Sequence, residues 1–308
     1  MGVRSTNSLQ SFIDDFLRSG TDASGSAPVP VPFTGASGGV ISNYEDSGTF
    51  YRAHIFTSSG SLVTTEAITA DILAVGGGGG SGRASGNGNF GGAGAGGMLI
   101  QTGVPLPGSI TCPITIGAGG ADCGSTSSSG NYGANGVDTA FTIPTGPTVY
   151  TAAGGGGGGG ADASNGRPGG SGAGGGRDPS SGGTGSQYGP TSPLNPGPAP
   201  GQGNPGGTGS PGDNGAAGGG GAGASGSNGP AGSGGNGSPN VYAYGPASPV
   251  TYAGGGGAGV ENGTTTGGTG GGGSGGGPAA SNAQNGTAGD RKSTRLNSSH
   301  RCISYAVF

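Results

Sequence analysis

The chain has 308 residues, of which 86 are glycine and 22 are proline, and its formal net charge is −4. Charged residues make up only 8% of it, which excludes charge-rich disorder, and its apolar residues are too sparse for one ordinary core. An acidic body and the absence of a run of about 20 apolar residues indicate neither nucleic-acid binding nor membrane insertion. We therefore expect backbone hydrogen bonds to order most of the glycines.

Residues 1–20 are predicted to form an amphipathic attachment helix. Its apolar side chains recur at the spacing of one helix face: Leu9, Phe12, Ile13, Phe16 and Leu17. Such a helix either folds back on the protein's own strands or docks the chain to another protein. The Pro/Ser/Gly linker that follows, residues 21–39, favours docking because it contains a stiff, extended spacer at Pro28–Pro32.

Residues 40–75 are predicted to be a small antiparallel β module. Its strands are 50–57, 61–65 and 68–75, and the first two are joined by a Ser-Ser-Gly turn at 58–60. Further strands are predicted within the glycine-rich part at 98–102, 110–116, 140–143, 148–153 and 249–253.

Glycine recurs at every third residue through much of the stretch 76–290. In the block 154–175 only Ala163 interrupts the period, and the block 203–221 is unbroken. Three residues per turn is the repeat of the polyproline-II helix. Residues 76–290 are therefore predicted to be a bundle of such polyglycine-II helices, with strands and loops between them. Collagen is a poorer match because the blocks are short and interrupted by strands.

Seven consecutive glycines, residues 154–160, place glycine on every face of one helix. This pattern predicts the most buried helix of the bundle. The predicted interior positions are Gly76, Gly79, Gly154, Gly157 and Gly160. The fold class is therefore expected to be mainly β and irregular: a small antiparallel β module leading into a polyglycine-II bundle, with one N-terminal amphipathic α-helix.

Two loops carry tyrosines that are candidates for receptor contact. Tyr188 lies in the proline-rich loop 186–200, and Tyr242 and Tyr244 lie in the loop 240–249. Exposed tyrosine on a loop of a rigid scaffold is common at recognition sites. The alternative is that these side chains cover the ends of the bundle.

No catalytic, metal or cofactor site is predicted, and the chain is not expected to be an enzyme. His54 is the one histidine before residue 290, so neither a Ser-His-Asp triad nor a multi-histidine metal site is expected. Cys112 and Cys123 flank 114–120 and can pair if a turn brings them together. Free thiols are the favoured alternative.

Four motifs, taken in order, resemble the glycine-rich domain of bacteriophage tail proteins. They are YRAHIFTSSG at 51–60, DILAVGGGGG at 71–80, ITIGAGG at 114–120 and TAAGGGG at 151–157. The chain is also similar to the tail-fibre adhesins of T-even-like phages. The resemblance implies a non-enzymatic structural protein or adhesin of the virion tail. Its partners would be a host cell-surface receptor and, through the N-terminal helix, other virion subunits.

Residues 291–308 resemble an in-frame translation of a sequencing adaptor and are expected to be non-native. Two alternative functions stay open. The chain can be the subunit of an extracellular or cell-surface filament, which makes it a possible homo-oligomer. It can also be an ice-binding protein, because glycine-rich antifreeze proteins share the predicted helix type and a regular face can bind ice.

Overall fold

The computed structural model describes residues 35–82, 89–123, 132–146, 148–160, 164–178, 180–185, 201–261, 263–276 and 304–307. The predicted N-terminal helix, with its five apolar side chains, and Tyr188 lie outside these residues. The strands are β1 Ala36–Ser37, β2 Val40–Asp46, β3 Thr49–Phe56, β4 Gly60–Thr64, β5 Ile68–Val75, β6 Met98–Leu106, β7 Ile110–Thr115, β8 Thr139–Ile143, β9 Thr148–Ala152, β10 Ser238–Asn240, β11 Val250–Tyr252, β12 Thr264–Thr265, β13 Gly275–Gly276 and β14 Ser304–Val307.

Two antiparallel five-stranded sheets form the β part of the fold. Sheet 1 has the strand order β1-β4-β7-β8-β9, and sheet 2 has the order β2-β3-β14-β5-β6. The sheets face each other, since β5 contacts β8 and β9 and β6 contacts β9. Alternate residues of β7 are buried and exposed, which is the pattern of a strand covered on one face. The strands of these two sheets therefore come not only from the 40–75 stretch and its flank but also from 98–152 and 304–307.

A tight hairpin joins β2 and β3, so β3 pairs with β2 and not with β4. Ser47 and Gly48 both have positive φ, 53° and 82°, and Asp46 pairs with Thr49 across this two-residue turn. Positive φ at both turn residues defines a type I′ turn, whose twist matches that of paired strands. β3 is thus paired with β2 in sheet 2, whereas β4 lies in sheet 1. The predicted hairpin between 50–57 and 61–65 is wrong.

The glycine-rich segments between the strands form an array that backbone hydrogen bonds hold together. Within this array, donors three residues apart bond to the same neighbouring segment. Gly155 N–H donates to Gly77 O (2.7 Å), and Gly158 N–H donates to Gly80 O (2.9 Å). Gly156 and Gly159 donate in the same way to Ser171 O (3.0 Å) and Gly174 O (3.1 Å). The three-residue repeat of glycine in the sequence thus equals the spacing of the hydrogen bonds that one segment makes to one neighbouring segment.

The run 154–160 is buried along its whole length. Besides the bonds above, Gly154 N–H donates to Asp138 Oδ1 (2.8 Å) and Gly157 N–H donates to Asn135 Oδ1 (2.9 Å). Gly156 O accepts from Gly94 N–H (2.9 Å). The run is therefore surrounded by other segments at backbone contact distance, which leaves no room for side chains.

The second face of sheet 2 packs against the later part of the array. A buried cluster joins Ala53, Ile55 and Leu73 of the sheet to Ala243, in the loop after β10, and Tyr252 of β11. Two small antiparallel sheets, β10–β11 and β12–β13, lie in this later part. Sheet 2 is accordingly covered by sheet 1 on one face and by β11 and the β10–β11 loop on the other.

The predicted fold class is wrong, because no helix occurs within the nine described ranges. They are mainly β-strands in small antiparallel sheets, joined by extended glycine segments. The individual strand positions are confirmed, since 68–75 coincides with β5 and the other predicted strands overlap β3, β4, β6, β7, β8, β9 and β11. Within the stretch expected to be non-native, Ser304–Val307 forms β14 between β3 and β5.

Candidate functional site

The loop between β10 and β11, residues 241–249, is closed at its base and braced from within. Asn240 pairs with Val250 at the end of the two-stranded sheet. Asn240 Oδ1 accepts a hydrogen bond from Tyr242 N–H (2.8 Å), and Gly245 N–H donates to Val241 O (2.8 Å). These bonds fix the main chain on both sides of Tyr244, so the loop presents that side chain in a defined place.

The two tyrosines of this loop have different environments. Tyr242 is partly buried against the core cluster that joins sheet 2 to Tyr252 of β11. Burial raises the pKa of its phenol, and the charge of Asp71 raises it further. Tyr244 is 46% exposed. Tyr242 therefore anchors the loop, and Tyr244 is the tyrosine available to a partner.

Tyr242 belongs to a tyrosine cluster that also contains Tyr44 and Tyr51. These two face each other across the β2–β3 hairpin and their rings stack, with centroids 5.4 Å apart and planes at 19°. The loop lies against this pair, because a Cβ added at Gly245 would lie 2.8 Å from Tyr44 Cδ2. Gly245 also has a φ of +80°, which glycine adopts without strain. Glycine is therefore favoured here both by this φ and by the lack of space for a Cβ.

Two phenols of the tyrosine cluster, Tyr44 and Tyr242, have raised pKa values and stay uncharged at neutral pH. Burial raises the pKa of Tyr44 to about 12, with smaller contributions from its neighbours Tyr51, Tyr242, Asp46 and Asp71. Asp71 lies beside the cluster, and its Oδ1 accepts a hydrogen bond from Gly103 N–H (2.8 Å). The loop that carries Tyr244 thus lies against phenol rings that have Asp46 and Asp71 as acidic neighbours.

Tyr44, Tyr51 and Asp71 were not predicted from the sequence as neighbours of the candidate loop. The signal for the first two was available, since a two-residue turn at Ser47 and Gly48 sets Tyr44 opposite Tyr51. No local pattern indicated that residues near 242 pack on sheet 2, because this contact joins parts of the chain about 200 residues apart.

The predicted interior glycines all lie inside the array. Gly76, Gly79, Gly154, Gly157 and Gly160 are buried. A Cβ at Gly76 would overlap the carbonyl group of Ala153, and one at Gly79 would overlap that of Gly156. These positions act as structural contacts that hold the segments together.

An open groove of about 610 Å³ lies apart from the tyrosine cluster, where the start of β5 and the end of β6 meet the β8–β9 turn. Its lining is largely apolar and includes Ile68, Leu106, Ile143 and Tyr150. Its polar lining consists of the hydroxyl side chains Thr69, Thr145, Thr148 and Tyr150.

A family model described as a glycine-rich domain matches residues 57–299. The matched stretch covers more than three quarters of the chain. The chain belongs to this glycine-rich domain family. The match includes the array and the loop with Tyr242 and Tyr244, whereas the β2–β3 hairpin precedes it. No curated protein and no solved structure matches the chain.

The ranges that the structure covers hold no group of three side chains that could bind a metal ion, and no helix there is long and apolar enough to cross a membrane. No disulfide joins Cys112 to Cys123, and Cys112 is a free thiol. Cys112 is buried, and burial raises the pKa of its thiol, so it is a poor nucleophile at neutral pH.

His54 lies in the middle of sheet 2 and is fully buried. Its Nδ1 lies 2.7 Å from Gly38 O, a distance at which the Nδ1–H tautomer donates a hydrogen bond to this carbonyl. Burial lowers the pKa of the imidazole, which therefore stays neutral in the folded protein at neutral pH. His54 is a structural residue of the sheet.

We expect His54 to make stability depend on pH below about 6.5, the ordinary histidine pKa. Because its folded pKa is lower than its unfolded pKa, the unfolded state binds more protons in this range. The free energy of unfolding should therefore fall with pH below about 6.5, by up to about 1.4 kcal/mol per pH unit, until the folded pKa is reached. Urea unfolding between pH 5 and pH 8 measures this slope.

The control for this prediction is His54→Gln, which keeps a hydrogen-bond donor but does not titrate. The difference in unfolding free energy between the wild type and this variant should change with pH below about 6.5 and stay constant above it. A difference that is constant from pH 5 to pH 8 would contradict the assignment.

Proposed function

We propose that this protein is a non-enzymatic tail or tail-fibre protein of a bacteriophage, which binds a host cell-surface receptor through the loop at 241–249. It would act in the virion tail or, more generally, outside the cell. The observation that carries the proposal is the half-exposed Tyr244 on a loop that is closed by β10–β11 pairing and anchored by Tyr242. The ordered resemblance to phage tail domains supplies the biological setting.

The rigidity of the scaffold supports this proposal. A loop held by main-chain hydrogen bonds loses little conformational entropy on binding, so more of the contact energy appears as affinity. Tyrosine suits this purpose because it offers a large amphipathic surface with two rotatable side-chain bonds. The glycine array provides a support in which most bonds are made by the backbone.

The experiment is binding of fluorescently labelled full-length protein to intact cells of a panel of bacterial strains, measured by flow cytometry. Tyr244→Ala is expected to weaken binding to the responding strain by at least about tenfold, since truncated aromatic anchors typically cost 2 kcal/mol or more. Tyr242→Ala should also weaken binding, but together with a loss of loop order and of thermal stability.

Val137→Ala is the matched control, because Val137 is an apolar side chain of the array with 53% exposure. This variant should bind as the wild type does. Equal binding of the wild type and Tyr244→Ala to every responding strain would reject the loop as the receptor site. Failure of the wild type to bind any strain of a broad panel would count against the adhesin function itself.

One observation favours a second candidate, a subunit of an extracellular filament. Within the described ranges β2 pairs only with β3, and it exposes Val40 (66%) and Ile41 (48%) at this edge of sheet 2. An exposed apolar edge strand is a template for pairing with another copy. Growth of long fibres by the purified protein, seen by negative-stain electron microscopy, would favour this candidate over the adhesin.

A further inference from the structure

Sheet 2 is built from two hairpin-like halves with a slot between them. β2 pairs with β3 on one side, β5 pairs with β6 on the other, and β3 and β5 do not pair with each other. The four residues Ser304–Val307 of β14 lie in the slot, antiparallel to both neighbours. Tyr305, for example, is in register with Ile55 on one side and Leu73 on the other.

The slot requires a strand for a simple reason. Its walls, Ala53–Phe56 and Ile72–Ala74, consist of residues that are at most 6% exposed. Backbone N–H and C=O groups that point into a buried slot need hydrogen-bond partners. If the slot were empty, both strands would present unpaired groups in the middle of the sheet, at a cost of about 1–3 kcal/mol for each group.

The strand in the structure occupies only part of this slot. β3 and β5 run parallel to each other, and the last pairs of β14 are Val307 with Ala53 and Val307 with Asp71, where β5 has a bulge between Ala70 and Ile72. Phe50–Arg52 and Ile68–Ala70 form the remaining walls, and among the residues described they pair only with β2 and β6. This outer half is accessible, since Phe50 is 53% exposed and Thr69 is also exposed.

We propose that the slot is a strand-acceptor site for an extended segment of a partner polypeptide. The walls from Phe50 to Phe56 and from Ile68 to Ala74 are each long enough for a strand of about seven residues, which would replace Ser304–Val307 and pair along the full length. Recognition by main-chain hydrogen bonds on both edges is the β-strand-addition mode of peptide binding. The slot adjoins the receptor loop, since Tyr51 of its wall and the neighbouring Asp71 belong to or flank the tyrosine cluster, but recognition in the slot uses main-chain groups of β3 and β5 and does not need Tyr244.

The surroundings of the slot define the chemistry of the partner segment. In its inner half the segment would pass between buried residues of both faces, His54 and Ile72 on one and Ile55 and Leu73 on the other. Such a strand needs small or β-branched apolar residues at successive positions. In the outer half, where Thr69 is exposed, polar residues such as threonine are compatible with the site.

The test uses the full-length chain and a synthetic peptide, Ser-Tyr-Ala-Val-Thr-Val-Thr, with hydrogen exchange read at single residues. In the variant Ala306→Pro the inserted strand cannot complete its ladder, so slot-facing amides of 53–56 and 71–74 should exchange at least about tenfold faster. The peptide should restore this protection and also slow exchange at 50–52 and 68–70. The control peptide with proline in place of alanine should do neither.

Amides of β4 and β7 in sheet 1 report whether Ala306→Pro remains folded. If they lose protection, the wild-type chain with excess peptide becomes the test, and slower exchange at 50–52 and 68–70 is expected there. The proposal is overturned if the peptide protects neither wall, or if the proline peptide protects them equally well. This result is independent of cell binding, so failure of one proposal leaves the other intact.

Discussion

Replacing Gly157 with alanine should lower the free energy of unfolding by about 3 kcal/mol or more, the upper range for an extra methyl group in a well-packed interior. The Cβ of alanine would overlap the carbonyl group of Gly133, and Gly133 N–H is itself bonded to Gly158 O (3.0 Å). Backbone on both sides of the contact is held by neighbouring segments, so neither can move away without breaking further bonds.

Gly60→Ala is the matched control for this variant. A Cβ at Gly60 would make ordinary contact with the ring of Phe56, at 3.5 Å, and the residue is exposed at the start of β4. This change should alter the unfolding free energy by less than about 0.5 kcal/mol. Urea unfolding followed by far-ultraviolet circular dichroism compares the two variants, and equal stability of both would show that the run 154–160 is not tightly packed.

Replacing Gln202 with leucine should destabilise the fold by about 3 kcal/mol, because this side chain satisfies the backbone where β9 enters the glycine array. Gln202 is 1% exposed, its Oε1 accepts from Ala153 N–H (2.8 Å), and its Nε2 donates to Thr151 O (2.8 Å). Leucine has nearly the same size but offers neither group. The buried Ala153 N–H would then lose its acceptor, and a group of this kind costs about 1–3 kcal/mol when unsatisfied.

Gln101→Leu provides the comparison for Gln202→Leu, since Gln101 is a half-buried residue of β6 and undergoes the same chemical change. It should be near neutral. Thermal unfolding by calorimetry should give a clearly lower midpoint for Gln202→Leu than for Gln101→Leu. Similar midpoints would mean that solvent or another group replaces the amide at the strand-to-array junction.

The sequence was a good guide to the positions of strands and a poor guide to their pairing. Alternation and β-branched residues located β5 and β7 because these signals are local. The division of β3 and β4 between two sheets could not be read in this way. It depends on which partner each strand finds, and the turn at Ser47 and Gly48 supplied β3 with a better partner upstream.

The candidate site was predictable only in part. The loop with Tyr242 and Tyr244 was recognised from its aromatic and proline content, but not the difference between the two residues. Tyr242 is held by Tyr44 and the core cluster, which belong to a distant part of the chain. Long-range packing of this kind leaves no periodic pattern in the sequence. The close packing of glycine segments, in contrast, leaves a three-residue glycine repeat that can be read directly.

The glycine segments form a fixed scaffold that is held together by backbone hydrogen bonds. Hydrogen exchange of the full-length wild-type chain at Gly155, Gly156, Gly158 and Gly159 tests it most directly, because each of these N–H groups donates to a neighbouring segment. These amides should be protected at least about 1,000-fold relative to an unfolded chain, as expected for amides that open only with a large part of the structure. Exchange at the rate of an unfolded glycine-rich peptide would contradict this prediction.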